Sequence, residues 1–166
     1  MGWPPLSLRP IDVTPVTSTK LISRAVFAAL LGFAISIPAL ALEKRPLTLV
    51  TSKGEHQITV EVADSSDEQR TGLMFRRSLG EDEGMIFLYE REEDVSMWMK
   101  NTYIPLDMIF VRSNGTVLRI ETDTEPFSER IISSGGKVLA VIEMKAGSAA
   151  RLGLKPGDKV SYPAFR

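Results

Sequence analysis

A tryptophan, a lysine, an asparagine and an aspartate fall within one short stretch of the chain: Trp98, Lys100, Asn101 and Asp107. If Val95 to Lys100 is extended, its side chains alternate between faces. Val95, Met97 and Met99 then share one face and read as core, while Ser96, Trp98 and Lys100 share the other. An indole beside an ammonium on a wet face suits a sugar ring, a planar ligand or a partner peptide. A plain structural role is open to the same pair, with loops covering Trp98 and the aliphatic stem of Lys100 lying across it. Asp107 sits between Leu106 and Met108 in an apolar run, where a carboxylate needs a cation or several donors. Arg76, Arg77 and Lys100 are the cations at hand, and the amides from Asn101 to Tyr103 are the donors. The candidate ligand-binding set is therefore Trp98, Lys100, Asn101, Arg76 and Asp107. In the alternative reading Asp107 is a latch that fixes the turn from Asn101 to Pro105. No residue is assigned a catalytic role, and no metal or cofactor is assigned.

Other chemistries rest on less. The chain has no cysteine, so disulfides, thiolate catalysis and cysteine-type zinc sites are excluded. The one histidine, His56, opens an expected strand with no nucleophile beside it, which leaves a Ser-His-Asp triad without a base. Met97 and Met99 flank a tryptophan, and thioethers are soft ligands for copper(I). Each methionine after Met1 also lies in an apolar run, where methionine fills irregular gaps. The acidic runs at residues 81–83 and 90–94 match no calcium-loop spacing and read as solvated turns. A hydrolase acting on saccharide or envelope material remains the rival class. It would use a carboxylate pair or a Ser–Lys dyad drawn from Ser133, Ser134 and Lys137.

The elements that must position these groups are short and mostly extended. Leu47–Thr51 and Gln57–Val62 read as strands joined by Ser52-Lys53-Gly54, and Ile58, Val60 and Val62 alternate with Thr59 and Glu61. Asp64-Ser65-Ser66 can cap a helix over residues 67–74, with Glu68 favoured in its first turn. Further strands are expected at residues 84–89, 95–100, 106–111, 116–122 and 137–144. Asn114-Gly115 marks a tight hairpin, because both residues tolerate positive φ. Residues 125–136 carry no periodicity and read as a surface loop. Residues 148–152 make a helical turn closed by Gly153, and a last strand ends near Tyr162. Seven or eight short strands with two short helices indicate a mainly β fold, an antiparallel sandwich or barrel.

Four ordered motifs resemble one known family. They are Gly72-Leu73-Met74 with Arg76, Gly84-Met85-Ile86-Phe87, Trp98-Met99-Lys100-Asn101-Thr102, and Pro105-Leu106-Asp107. Together with Leu139–Gly147 and Gly153–Val160 they are similar to the bacterial and archaeal domain of unknown function 192, over nearly all of residues 47–161. That resemblance implies a small, mostly β domain, often exported, with no established activity.

Arg24 to Ala41 reads as an export signal. Arg9, Lys20 and Arg24 precede an apolar run, Pro38 breaks it, and Ala39-Leu40-Ala41 offers a peptidase the small residues it cuts. The competing reading is an uncleaved anchor, since a spanning helix needs roughly 17–25 apolar residues. The expected organisation is thus residues 1–41 as signal and residues 42–166 as a single β domain in the periplasm, or anchored facing it. Removing Arg9, Lys20, Arg24 and Asp12 from 20 basic and 21 acidic side chains leaves 17 and 20, a net charge of −3. That balance excludes a phosphate-seeking basic surface, and with it nucleic acid as partner. The function expected is a binding or interaction module for a small envelope ligand or an envelope protein. Membrane contact is expected only through the N-terminal segment.

Overall fold

A computed structural model describes residues 41–166. The expected export signal lies outside the described residues except for its last, Ala41. No helix among the described residues is long and apolar enough to cross a membrane. Seven strands and two short helices follow in the order β1 (Lys44–Thr51), β2 (Gly54–Ala63), α1 (Ser66–Thr71), β3 (Glu83–Met97), β4 (Leu106–Val111), β5 (Val117–Glu121), β6 (Ile132–Lys145), α2 (Ser148–Leu152) and β7 (Lys159–Ser161). The strands form one sheet in the order β5-β4-β6-β3-β2-β1-β7, curled into a half-barrel. The mainly β architecture expected from the sequence is therefore observed.

Alternation along the strands gives this sheet two apolar faces. Ile86, Ile109 and Ile142 lie side by side on β3, β4 and β6. They join Leu47, Leu49, Ile58 and Val60 in a core closed by Ala149 and Leu152 of α2 and by Tyr162. On the other face Phe87, Phe110 and Val141 are neighbours. They pack with Met85, Met108, Leu73 and Met99. Each fully buried side chain of this size contributes roughly 1.5–3 kcal/mol, so the central strands β4 and β6, apolar on both faces, anchor the fold.

Three expectations need correction. The strands are not all antiparallel: β2 and β3 pair in parallel, because α1 and the segment after it carry the chain over one face before β3 begins. The strands expected at 84–89 and 95–100 are one strand, β3, with register shifts against β6 between Leu88 and Glu93 and between Asp94 and Ser96. The charged run at 90–94 belongs to that irregular edge and is not a free turn. The loop expected over 125–136 is too long, since β6 starts at Ile132. Gly135 and Gly136, with φ of 71° and 156°, lie inside β6 beside a register shift and do not end a loop. The Asn114-Gly115 turn forms as expected. Asn114 Oδ1 accepts from Thr116 N at 2.9 Å, and a Cβ on Gly115 would collide with the Val160 carbonyl oxygen.

Candidate functional site

The cap expected within Asp64-Ser65-Ser66 falls at Ser65, and the structure closes it with Glu68 as a capping box. Ser65 Oγ accepts from Glu68 N, and the Glu68 carboxylate accepts from Ser65 N at 2.9 Å. Hydrogen bonds from Ser65 first and then from Asp64 N hold the Glu68 carboxyl below the usual carboxylate range. The helix stops at Gly72, shorter than the sequence implied. Gly72 takes φ 46°, and a Cβ there would lie 2.9 Å from Cζ of Phe87. This close approach lays the end of α1 and residues 73–74 across the Phe87 face of the sheet.

The segment after β3 is pinned from both sides. Phe75 N donates to the Asn101 carbonyl at 2.9 Å, Phe127 N to the Thr102 carbonyl at 3.2 Å, and Met99 N to the Ser128 carbonyl at 2.9 Å. Buried Met99 anchors it, its Sδ 3.1 Å from the Thr124 hydroxyl. Trp98 projects beside this anchor with 43% of its surface exposed. Lys100 Nζ lies 5.2 Å from the indole centroid, a cation–π distance. The expected alternation does not hold here. Because β3 ends at Met97, the backbone leaves the strand, and Met97 and Trp98 both face one cleft of about 150 Å³. Its other walls include Leu73, Met74, Phe87, Tyr89 and Thr102.

Glu143 on β6 lies in the wall of that cleft, 4% exposed. The sequence reading missed it. Burial alone pushes its carboxyl up to about 8. The nearby Tyr89 phenol is also raised, by burial first and then by the charges of Glu143 and Glu93. Its hydroxyl lies 3.9 Å from Met97 Sδ. The only signal for Glu143 in the sequence was a glutamate inside the apolar run from Val138 to Met144, the same signal that singled out Asp107.

Glu143 occupies the centre of a cross-strand row. Register places Glu61 beside Met85, Met85 beside Glu143, Glu143 beside Met108, and Met108 beside Glu121. The two outer glutamates each have a guanidinium. Glu61 accepts both Nη atoms of Arg76, one at 2.7 Å. Glu121 takes Arg119 and, at 2.6 Å, Arg130. Hydrogen bonds from Arg76 and Arg130 hold these two carboxyls below their usual range. The middle one has no cation among the described residues.

The five residues singled out from sequence do not form one cluster. Trp98 and Lys100 are together. Arg76 lies in a separate, larger hollow of about 480 Å³ between α1 and the start of β1, its charge already matched by Glu61. Asn101, at φ 55°, points Nδ2 toward Met74 Sδ at 3.9 Å. Asp107 is fully buried and acts as a latch, though not on the Asn101–Pro105 turn: none of the three expected cations and none of the Asn101–Tyr103 amides holds it. Its Oδ1 accepts from Asp123 N at 3.0 Å and its Oδ2 from Ala149 N at 2.9 Å, so it ties α2 and the end of β5 to β4. Ser134 is buried and committed to backbone: its Oγ donates to the Gly136 carbonyl at 2.7 Å and accepts from Val95 N at 3.0 Å. No group of three or more His, Asp or Glu side chains is placed to hold a metal among the described residues.

A curled, mostly β domain with two short helices and, among the described residues, one acidic group in the Trp98 cleft is the class that fold and site define. A family model described as Uncharacterized ACR matches residues 48–162, and the chain belongs to that family, domain of unknown function 192. Two solved structures are similar. One is a candidate transcription regulator from Sinorhizobium meliloti 1021, 42% identical with a TM-score of 0.72, covering 74% of this chain and 96% of that one. The other is a protein of unknown function from Novosphingobium aromaticivorans DSM 12444, 45% identical with a TM-score of 0.73, covering 75% and 89%. No protein of curated function matches the chain.

Proposed function

We propose that the domain is a binding module whose ligand enters the Trp98 cleft. One observation carries this reading. The carboxyl of Glu143, almost fully buried, lines an open cleft with a half-exposed tryptophan at its edge and has no partner among the described residues. Burying such a group unpaired costs stability, and groups perturbed in this way concentrate at sites of function. The volume corresponds to about five waters at roughly 30 Å³ each. It admits a small molecule or one side chain of a larger partner, and not a saccharide chain. Export through the N-terminal segment would place that ligand in the cell envelope, either free or on an envelope protein.

The rival classes have less behind them. Glycoside hydrolysis needs two carboxyls at the scissile bond, and among the described residues Glu143 supplies the one carboxyl that lines this cleft. Of the Ser–Lys candidates, Ser134 has its hydroxyl committed to backbone, Ser133 is exposed with its Oγ accepting from Gly135 N at 3.2 Å, and neither is hydrogen-bonded to Lys137. Met99, half of the proposed copper pair, is buried with its sulfur against Thr124. The description of the Sinorhizobium protein raises DNA contact, but 17 basic against 20 acidic side chains in residues 42–166 offer little to a phosphate backbone.

The test is emission of Trp98 in the full chain carrying Trp3→Phe, titrated with small amines, alcohols, amides and monosaccharides. A saturable spectral change that Glu143→Leu weakens at least tenfold is the expected result. No change with any compound, or one indifferent to Glu143→Leu, refutes the reading.

A further inference from the structure

The glutamate row indicates what the cleft binds, an inference that rests on reading the cleft as a binding site. Across one face of the sheet, Glu61, Glu143 and Glu121 are separated only by Met85 and Met108. Where the chain completes this pattern itself it does so with a nitrogen cation on an aliphatic stem, Arg76 on one side and Arg119 with Arg130 on the other. Glu143 instead lines a cleft that it shares with Phe87, Tyr89, Met97 and Trp98. Aromatic faces attract cations, and thioethers and ring edges accept an alkyl stem. We propose that the cleft takes an alkylammonium or alkylguanidinium head, its N–H groups on the Glu143 carboxylate and its stem against Phe87 and Met97.

The charged groups around the cleft allow this. Arg70 of α1 reaches its wall, but its Nη1 is bonded to Asp67 Oδ1 at 2.8 Å and its side chain is 72% exposed. Lys100 is on the Trp98 ring. Tyr89 is neutral, Glu93 of the same strand adds negative charge near it, and Met108, opposite on β4, carries none. Burial raises the Glu143 carboxyl to about 8, so it is protonated at neutral pH. Entry of R–NH3+ therefore releases one proton: the carboxylic acid becomes a carboxylate and the ammonium keeps its own three. The cation is either a free small amine or a lysine or arginine side chain of a partner polypeptide.

Calorimetric titration of the full chain with n-butylammonium, n-butylguanidinium, the neutral n-butanol, and N-acetyl lysine and arginine amides tests the idea. Affinity for the butyl cations is expected to rise about tenfold from pH 6 to 7 and to level above 8, with nearly one proton released at pH 6.5 when two buffers are compared. Glu143→Gln, which keeps the shape of the acid, should remove both the pH dependence and at least tenfold of the affinity. Amides that bind as tightly as the butyl cations assign the side-chain source, and amides that are excluded assign the free amine. The inference is overturned if n-butanol binds as tightly as n-butylammonium, if cation affinity ignores pH, or if Glu143→Gln changes nothing. Neutral compounds that bind where cations do not would overturn it while leaving the binding module standing. Failure of every compound removes both.

Discussion

Asp107 and Glu143 are buried carboxyls on adjacent strands, and the fold treats them oppositely. Asp107 receives two backbone N–H groups. Truncating it orphans both, at roughly 1–3 kcal/mol each, so Asp107→Ala should lower stability by about 2–6 kcal/mol. Asp107→Asn, with one oxygen left to accept, should lose about half as much. An unchanged urea midpoint in Asp107→Ala would contradict the latch. Glu143 receives no hydrogen bond from the described residues, and its carboxyl titrates near 8 in the fold against 4.5 for an ordinary glutamate. A raised acid leaves stability fully present below pH 4.5 and erodes it as pH climbs through 8. Each unit is worth about 1.4 kcal/mol, so the loss approaches about 4–5 kcal/mol by pH 8. Glu143→Gln should flatten this slope in chemical denaturation between pH 5 and 8, and a slope identical to the parent's would show that Glu143 does not titrate as described. Both residues gave the same sign in the sequence, a carboxylate inside an apolar run. Which one has donors depends on segments far away along the chain, Asp123 and Ala149 for one and none for the other.

At the scale of elements, α1 forms one wall of the cleft and is held by its ends. Ser65→Ala breaks the capping box and should cost about 1 kcal/mol, read as a fall in thermal midpoint. Gly72→Ala should cost more, because φ 46° strains a residue with a Cβ and that Cβ meets Phe87 at 2.9 Å. It should also weaken any ligand that perturbs Trp98, since both line the cleft. A Gly72→Ala protein as stable as the parent would mean the close approach is not required. The cap was legible because Ser-x-x-Glu works through neighbours three residues apart. The face of Trp98 was not, because alternation holds only while a strand continues, and β3 stops one residue before it.

In the whole molecule, protection should follow position in the sheet. β4 is buried along its full length and paired on both sides, whereas β7 is a three-residue strand at the sheet edge. Amide hydrogen exchange should therefore be slowest in β4 and the facing half of β6, near the global unfolding limit, and fastest in β7. Equal protection in β7 and β4 would deny that the core is organised around the central strands. Local patterns in the sequence determined the strand-rich class, the Asn114-Gly115 turn, the α1 cap and the 148–152 helix, since each depends on side-chain period or on contacts a few residues apart. The motifs also identified the family. Only the tertiary structure decided that β2 and β3 run parallel, that Asp107 meets α2, that Arg76 belongs to Glu61, and that Glu143 shares the Trp98 cleft with no cation paired to it among the described residues. Those outcomes depend on register between strands distant in sequence, and one residue of slip would send every side chain to the opposite face.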